Sequence, residues 1–344
     1  MIDKYVLLLN NLKLITDLYY ETNILQSENE NYSKKEILTK FKAILKHPEL
    51  KSENNALSFS AKIFYYLIYS NYYFASGNKL KELNCLQKLK DILILSKTYQ
   101  TENPLDFVSI INRLLSIKKH FKTNSFFSDI NMLKNFPATV QFQKEVVAER
   151  VFVHTNTHEI EYYLINNEFG NALNKIKEIE KDISKLNLKI EPYHLIYFFY
   201  LHAITLVYFG EFHRSLKYIN RIMNDFDSSA RLQVFIRVEI LNVIVHYELK
   251  NFELANTLCN QILKKNKDAK LLISMEELII EYILKITSMK HLNVKLETST
   301  LKELSIAIES EKRNNKFQET RLIENYDKWL RAKTKKMFVF EIFK

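Results

Sequence analysis

Two histidines spaced four residues apart, His154 and His158, are the strongest candidates for chemistry in the sequence. On a helix this spacing places both imidazoles on one face, with Glu161 almost one turn further on. Such a pair binds zinc when another segment supplies a third ligand. The alternative is a polar pair on a half-exposed helix face, and we favour it because no third ligand stands out. We therefore predict no metal site here.

The motifs that hold phosphates or activate nucleophiles are missing from the sequence. Its three glycines are isolated from one another, so it contains no P-loop, no GxGxxG and no nucleophile elbow. Cys85 and Cys259 lie far apart, each within an apolar helical pattern, which is typical of buried thiols in a reducing compartment. We therefore expect a cytoplasmic protein that is not an enzyme and has no cofactor.

Composition and periodicity predict an all-α fold. The 344 residues are 47% hydrophobic and 26% charged, with only 3 Gly and 4 Pro, too few for a β-rich or Rossmann-type fold. Strand-like alternation occurs only in the closing MFVFEIF (337–343). Helical periodicity and breaker positions predict helices over 3–24, 34–46, 54–75, 79–97, 105–121, 126–136, 138–167, 169–187, 193–209, 212–224, 228–249, 251–266, 269–289, 300–314 and 316–336.

Neither a membrane span nor a secretory signal is predicted. The longest apolar run, 195–209, is shorter than the roughly 20 residues that a span needs and contains His202. The opening MIDKYVLLLNNLK lacks the small-residue cleavage site of a signal peptide. The apolar run is instead typical of a helix buried on most sides.

A repeated segment organises the middle of the chain. NEFGNAL (167–173), GEFHRSL (210–216) and KNFELAN (250–256) each have a Phe near a predicted turn and a small residue three positions later. Stepping back 43 residues reaches a fourth copy, NSFFSDI (124–130). Apolar residues of the following helices recur in phase at Leu133, Ile176, Ile219 and Cys259, and at Phe136, Ile179, Ile222 and Ile262. Such self-similarity predicts stacked helix pairs that share one core.

These residues resemble the tetratricopeptide-repeat (TPR) family in a longer, degenerate form. The family's turn pattern, Gly-Asp-Tyr-x-x-Ala, is matched by Gly210-Glu211-Phe212 with Ser215, and its small first-helix residue by Ala203. The period of about 40 exceeds the family's 34 residues. The resemblance implies a right-handed α-solenoid of antiparallel helix pairs over 105–290. Before it we expect an N-terminal helical region over 1–104, with a divergent repeat as the alternative interpretation. After it we expect C-terminal capping helices with a basic tail over 291–344.

The resemblance also implies a binding groove, because the first helix of each pair lines the concave face in this family. The residues carried to that face are Lys118, Lys122, His154, His158, Glu161, Tyr197, Tyr200, Tyr208, Arg237 and Tyr247. The mixture of basic, aromatic and polar side chains suits recognition of a peptide or partner helix, with aromatic anchors and cations paired to carboxylates. An ordinary solvated face without a ligand is the alternative, and the residues do not decide between the two.

The end of the chain is basic. Its cations there include Lys328, Arg331, Lys333, Lys335 and Lys336, beside Trp329 and an apolar run. Such a segment suits an anionic membrane surface or nucleic acid. We favour a charged capping helix that docks on the last repeat, since solenoids need a polar terminal cap.

The leading hypothesis is thus a non-enzymatic scaffold or adaptor that binds a protein or peptide in its groove. One alternative is a peptide-sensing regulatory protein, although residues 1–50 lack a convincing helix-turn-helix. Another is nucleic-acid binding through the basic tail and groove lysines. Terminal helices could also pair in a homo-oligomer.

Overall fold

The structure, a computed structural model, describes residues 2–27, 33–121, 123, 125–186, 190–269, 272, 274–289, 294–314 and 323–342. These residues are helical and contain no strand, which confirms the all-α prediction. None of the described helices is both long enough and apolar enough to cross a membrane. The chain divides into two compact units, Met1–Thr155 and Asn156–Lys344.

The first unit contains seven helices and the start of an eighth within its described residues. They are α1 (Ile2–Ser27), α2 (Lys34–Ile44), α3 (Phe59–Ser76), α4 (Lys79–Leu95), α5 (Lys97–Glu102), α6 (Pro104–Lys118), α7 (Ser125–Asn135) and α8 (Lys144–Ile165). Contacts join α1 to α3, α3 to α4, α4 to α6 and α6 to α7. Residues Ile15, Phe41, Leu50, Ala61 and Ile68 are fully buried in its core.

Local capping explains where helices of this unit begin. Ser33 forms a capping box with Glu36, and the Ser58 side chain accepts from the Ala61 N–H. The predicted start of the third helix at residue 54 is wrong, because a 3₁₀ turn over Glu53–Asn55 precedes the Ser58 cap. The helix α5, begun by the Ser96 cap, was not predicted.

The second unit continues from the end of α8. Its other described helices are α9 (Phe169–Leu186), α10 (Pro192–Tyr208), α11 (Phe212–Asp225), α12 (Leu232–Glu248), α13 (Phe252–Ala269), α14 (Ser274–Thr287), α15 (Val294–Asn314), α16 (Ile323–Lys335) and α17 (Val339–Ile342). Each helix from α9 to α15 packs on the next one along the chain, and α12 also contacts α10 and α14. The strand-like interpretation of MFVFEIF is wrong where the structure describes it, because α17 is a helical turn.

The in-phase apolar positions are buried. Leu133, Ile176, Ile219 and Cys259 are at most 1% exposed. Two small residues of the repeat, Ala203 and Ser215, are also in contact. Ser215 Oγ donates to the Ala203 carbonyl over 2.9 Å, and both residues are completely buried. Small side chains at this crossing let α10 and α11 approach closely. Residues 198–208 of α10 are buried on every side, as the apolar run predicted.

A common turn ends several helices. Gly77, Asn167, Gly210, Lys250 and Lys336 all have φ between 57° and 76°. In each turn the next residue's N–H bonds to a carbonyl five positions earlier, for example Glu211 to Leu206 at 2.9 Å and Asn251 to His246 at 2.9 Å. This is the Schellman arrangement, which satisfies carbonyls left open at the helix end. Helix α16 therefore ends in the same way as α8, α10 and α12.

Candidate functional site: the face covered by the C-terminal segment

Three predicted groove residues form a polar network in the second unit. His158 Nδ1 lies 3.2 Å from Glu161 Oε2, and the Tyr197 hydroxyl donates to Glu161 Oε1 over 2.7 Å. Burial, followed by the nearby Glu161 carboxylate, holds the pKa of Tyr197 well above its usual value. The Arg231 guanidinium lies 4.5 Å from the centroid of the Tyr197 ring. The network joins α8 to α10 and is satisfied internally.

The other two predicted tyrosines of α10 are completely buried. Tyr200 stacks beside Tyr197 with ring centroids 6.1 Å apart. Tyr208 packs edge-on against Phe169, with centroids 5.2 Å apart. Tyr208 thus has the surroundings of a core residue, whereas Tyr200 lies beside the C-terminal segment described next.

The C-terminal segment, residues 323–342, lies against side chains of α12. Tyr326, Trp329, Leu330 and Ala332 are each at most 3% exposed, which gives α16 one buried stripe at helical spacing. We call the residues of α8, α10, α12 and α15 that contact this segment the tail-covered face. Two groups of residues that the sequence presents separately, the groove candidates and the basic tail, thus contact each other.

One carboxylate of α12 accepts hydrogen bonds from two successive turns of α16. Trp329 Nε1–H donates to Glu248 Oε1 over 2.7 Å, and Lys333 Nζ donates to Glu248 Oε2 over 2.6 Å. The Lys333 ammonium also lies 4.9 Å from the centroid of the Tyr247 ring. Because the Glu248 side chain is only 11% exposed, both bonds are shielded from water.

A second acid, Glu297 of α15, completes this cluster. It accepts from the Tyr247 hydroxyl and lies 4.0 Å from Lys333 Nζ. Burial and this hydrogen bond raise the pKa of Tyr247. The Trp329 ring meets the Tyr247 ring edge-on with centroids 6.2 Å apart. Two carboxylates and one aromatic ring therefore surround one Trp–Lys pair.

The first turn of α16 is held by main-chain acceptors. The Tyr326 hydroxyl donates to the Arg237 carbonyl over 3.2 Å, and Lys328 Nζ donates to the Leu164 carbonyl over 2.6 Å. Leu164 lies in the last turn of α8, where the helix dipole favours a cation. Burial, followed by the neighbouring Tyr200 hydroxyl, holds the pKa of Tyr326 well above its usual value.

The end of the segment packs against the turn that follows α10. Phe340 stacks on Phe209 with centroids 4.8 Å apart, and Phe338 stacks on Phe340 at 6.1 Å. A Cβ on Gly210 would lie 2.2 Å from Cε1 of Phe338. The positive φ of 72° and the ring that covers the turn both favour glycine here, whereas Asn167, Lys250 and Lys336 occupy other turns of this type.

A cavity of about 410 Å³ remains beside the docked segment. Glu248, Glu297 and Leu301 line it from the face, and Trp329, Lys333 and Phe338 line it from the segment. This cavity opens to solvent at the edge of the docked segment, so part of the tail-covered face is accessible beside the segment.

The remaining predicted residues lie elsewhere. Lys118, in the first unit, is 3% exposed and forms an ion pair with Asp129, which also lies 3.0 Å from Lys90. His154 is half-buried in the same unit, and Lys122 lies outside the described residues. Arg331 is 3.3 Å from Glu309. Lys335 and Lys336 are exposed.

Arg237 is the remaining groove candidate of α12. Its Nε lies 3.7 Å from Glu276 Oε1, and its side chain is largely buried. Two of the predicted groove cations, Lys118 and Arg237, thus pair with acids of their own unit. The acids of the tail-covered face, in contrast, pair with cations of the C-terminal segment.

The described residues contain no group of three or more His, Cys, Asp or Glu side chains that could hold a metal ion. Burial raises the pKa of the Cys85 thiol to about 11 and that of Cys259 to about 12, so both are protonated at neutral pH.

The sequence matches no known protein-family model and no curated protein.

Sequence reasoning missed several residues of this face. Trp329 and Tyr326 fell within the predicted C-terminal capping helices, and Glu297 was not predicted to take part in binding. The signal that the sequence did contain was the Trp329–Lys333 spacing of four, which puts both side chains on one face of α16. Nothing local in the sequence pointed to Glu248 as their common partner.

Proposed function

We propose that this protein is a non-enzymatic interaction module, a scaffold or adaptor that binds a protein or peptide on the tail-covered face. The observation that supports it most is that Arg237, Tyr247 and Glu248, all on one face of α12, hold a helix through hydrogen bonds and ring contacts. A groove that holds one helix through buried aromatic side chains suits the recognition of a partner helix in the same way.

The fold we propose for the second unit is a TPR-like, right-handed α-solenoid. Sequential packing of α9 to α15, the contacts of α12 with α10 and α14, and the buried small pair Ala203–Ser215 support it. The first helices of successive pairs would then be α8, α10 and α12, which carry most of the predicted groove residues. We propose a cytoplasmic location on the basis of the two separate buried or half-buried thiols.

Protein binding is favoured over nucleic-acid binding by the surroundings of the tail cations. Lys328 and Lys333 each donate to an oxygen of the protein, which leaves Arg331, Lys335 and Lys336 as the exposed tail cations for the backbone of a nucleic acid. The same contacts are compatible with a peptide-sensing regulator, which also recognises its signal through such a face.

The test is affinity for a partner isolated with the full-length protein. A partner would be captured by cross-linking in native lysate, purified, and titrated against wild type and Arg237→Gln. We expect weaker binding to the variant, because the substitution leaves the buried Glu276 carboxylate without its counter-charge beside the Arg237 carbonyl that holds the helix.

The matched control is Lys217→Gln, which removes one positive charge from an exposed position of α11. It should leave the affinity within twofold of wild type. Equal affinities for wild type and Arg237→Gln, with both proteins folded by circular dichroism, would contradict the proposed binding face.

A further inference from the structure

The chemistry of the tail-covered face points to a particular kind of partner, an inference that rests on the function proposed above. Four of its acceptors face donors of α16: the Glu248 and Glu297 carboxylates and the Leu164 and Arg237 carbonyls. The donors are an indole N–H, a phenol O–H and two ammonium ions, and the Tyr200 hydroxyl lies beside the phenol. The face therefore favours donors and cations, whereas the groove predicted from the sequence would pair its own cations with carboxylates of a ligand.

The spacing of these groups defines a recognition pattern. Trp329 and Lys333 are four residues apart and share Glu248, and Tyr326 precedes Trp329 by three residues. Residues at i, i+3 and i+7 lie along one side of a helix, so a single helix presents all three to the face. A strand or extended peptide with the same residues would direct them to different sides.

The docked segment is also an imperfect occupant. A cavity of about 410 Å³ that opens to solvent lies at the edge of its contact with the face. Its last residues include Met337 and Phe338, which are each 44% exposed. Much of its attachment is through charged hydrogen bonds, which a competing cation can replace one for one.

We propose that the tail-covered face binds a helix of another protein with a tyrosine or tryptophan, a second aromatic residue three positions on and a lysine four positions after that. The C-terminal segment is the internal competitor of this helix. It imitates the partner and must leave the face before the partner binds. The affinity of the free face is reduced by the fraction of molecules in which the segment is docked.

The experiment uses the full-length protein and a fluorescein-labelled peptide of residues 323–342 as the probe. Anisotropy titrations compare wild type with Lys333→Glu, which places a third carboxylate beside Glu248 and Glu297 and so weakens docking of the internal segment. We expect the peptide to bind Lys333→Glu at least about tenfold more tightly than wild type, because the competitor is weakened and the face is intact.

Two controls separate docking from charge and folding. Lys335→Glu makes the same charge change at an exposed position of α16 and should bind the peptide as weakly as wild type. Lys333→Gln removes the ammonium without adding a carboxylate and should bind the peptide more tightly than wild type, so it takes the place of Lys333→Glu if that variant fails to fold. Adding Glu248→Gln to Lys333→Glu should lower peptide affinity again, since it removes the charge that the peptide's lysine needs.

If folded Lys333→Glu and Lys333→Gln bind the peptide no better than wild type, α16 is a permanent part of the fold and the proposal is wrong. If wild type forms a dimer in sedimentation velocity that Lys333→Glu abolishes, the occupant is a second copy of this chain and the separate partner is refuted. Neither result bears on Arg237→Gln and a captured partner, so the proposed function is tested independently.

Discussion

Acid should destabilise the second unit through His202. This side chain is 1% exposed and lies among Phe198, Phe199 and Tyr218, whose ring centroids are 5.1–6.4 Å away. Neither ring nitrogen has a hydrogen-bond partner among the described residues. Burial therefore disfavours the imidazolium and lowers the pKa of His202 from 6.5 to about 3.

The direction and magnitude of this change in unfolding free energy follow from proton linkage. The unfolded chain binds a proton near pH 6.5 and the folded one only near pH 3, so unfolding takes up a proton at intermediate pH. The stability that neutral His202 preserves is complete above about pH 6.5 and is lost as pH falls toward 3. At pH 5 the loss is about 2 kcal/mol, from one and a half pH units at about 1.4 kcal/mol each.

The assay is urea unfolding at pH 7.5 and pH 5 of wild type and His202→Leu. The fluorescence of Trp329, the only tryptophan of the chain, reports on the second unit. Leucine fills a similar volume and does not titrate, so the carboxylates and other histidines contribute equally to both proteins. Between the two pH values, wild type should lose about 2 kcal/mol more than the variant. Equal losses would show that His202 is not the buried neutral base described above.

Three further changes test the packing and turns. Asp129→Asn should cost about 3–5 kcal/mol of unfolding free energy in denaturant titrations followed by circular dichroism, because it leaves the buried Lys118 ammonium without its counter-charge. Lys250→Gly should raise stability by about 0.5–1 kcal/mol, seen as a higher melting temperature, since glycine relieves the positive φ of 61°; an unchanged or lower temperature would contradict this. Gly210→Ala should cost about 2–4 kcal/mol and shift Trp329 emission to the red, as the new methyl group collides with Phe338; a wild-type spectrum would contradict the contact.

The helices and their buried stripes were largely predictable from the sequence, because both depend on local spacing. Ile219 and Ile222 repeat their phase in neighbouring copies and are completely buried. The start of α3 was misjudged since apolar periodicity continues upstream, whereas the Ser58 side chain fixes the start by capping. The TPR resemblance, the groove and the three-part division of the chain stay predictions.

The course of the C-terminal segment was not predictable in the same way. Trp329 meets Glu248, which lies 81 positions earlier in the sequence, and no local pattern encodes such a contact. The pattern in MFVFEIF indicated a strand, but Phe340 lies in a short helical turn and stacks on both Phe209 and Phe338. A run of seven residues with six apolar ones is too short and too uniform to distinguish the two periods. The conformation of this segment is therefore set by its tertiary contacts and not by its local sequence pattern.

The shared carboxylate of Glu248 has a consequence for how this surface can evolve. Losing Trp329 or Lys333 alone leaves one carboxylate oxygen without its donor, while losing Glu248 leaves two donors without an acceptor. The three positions are therefore epistatic: the effect of each substitution depends on the other two. In related sequences we expect them to change together or not at all, and a lineage that altered Glu248 alone should have rebuilt the facing turns of α16.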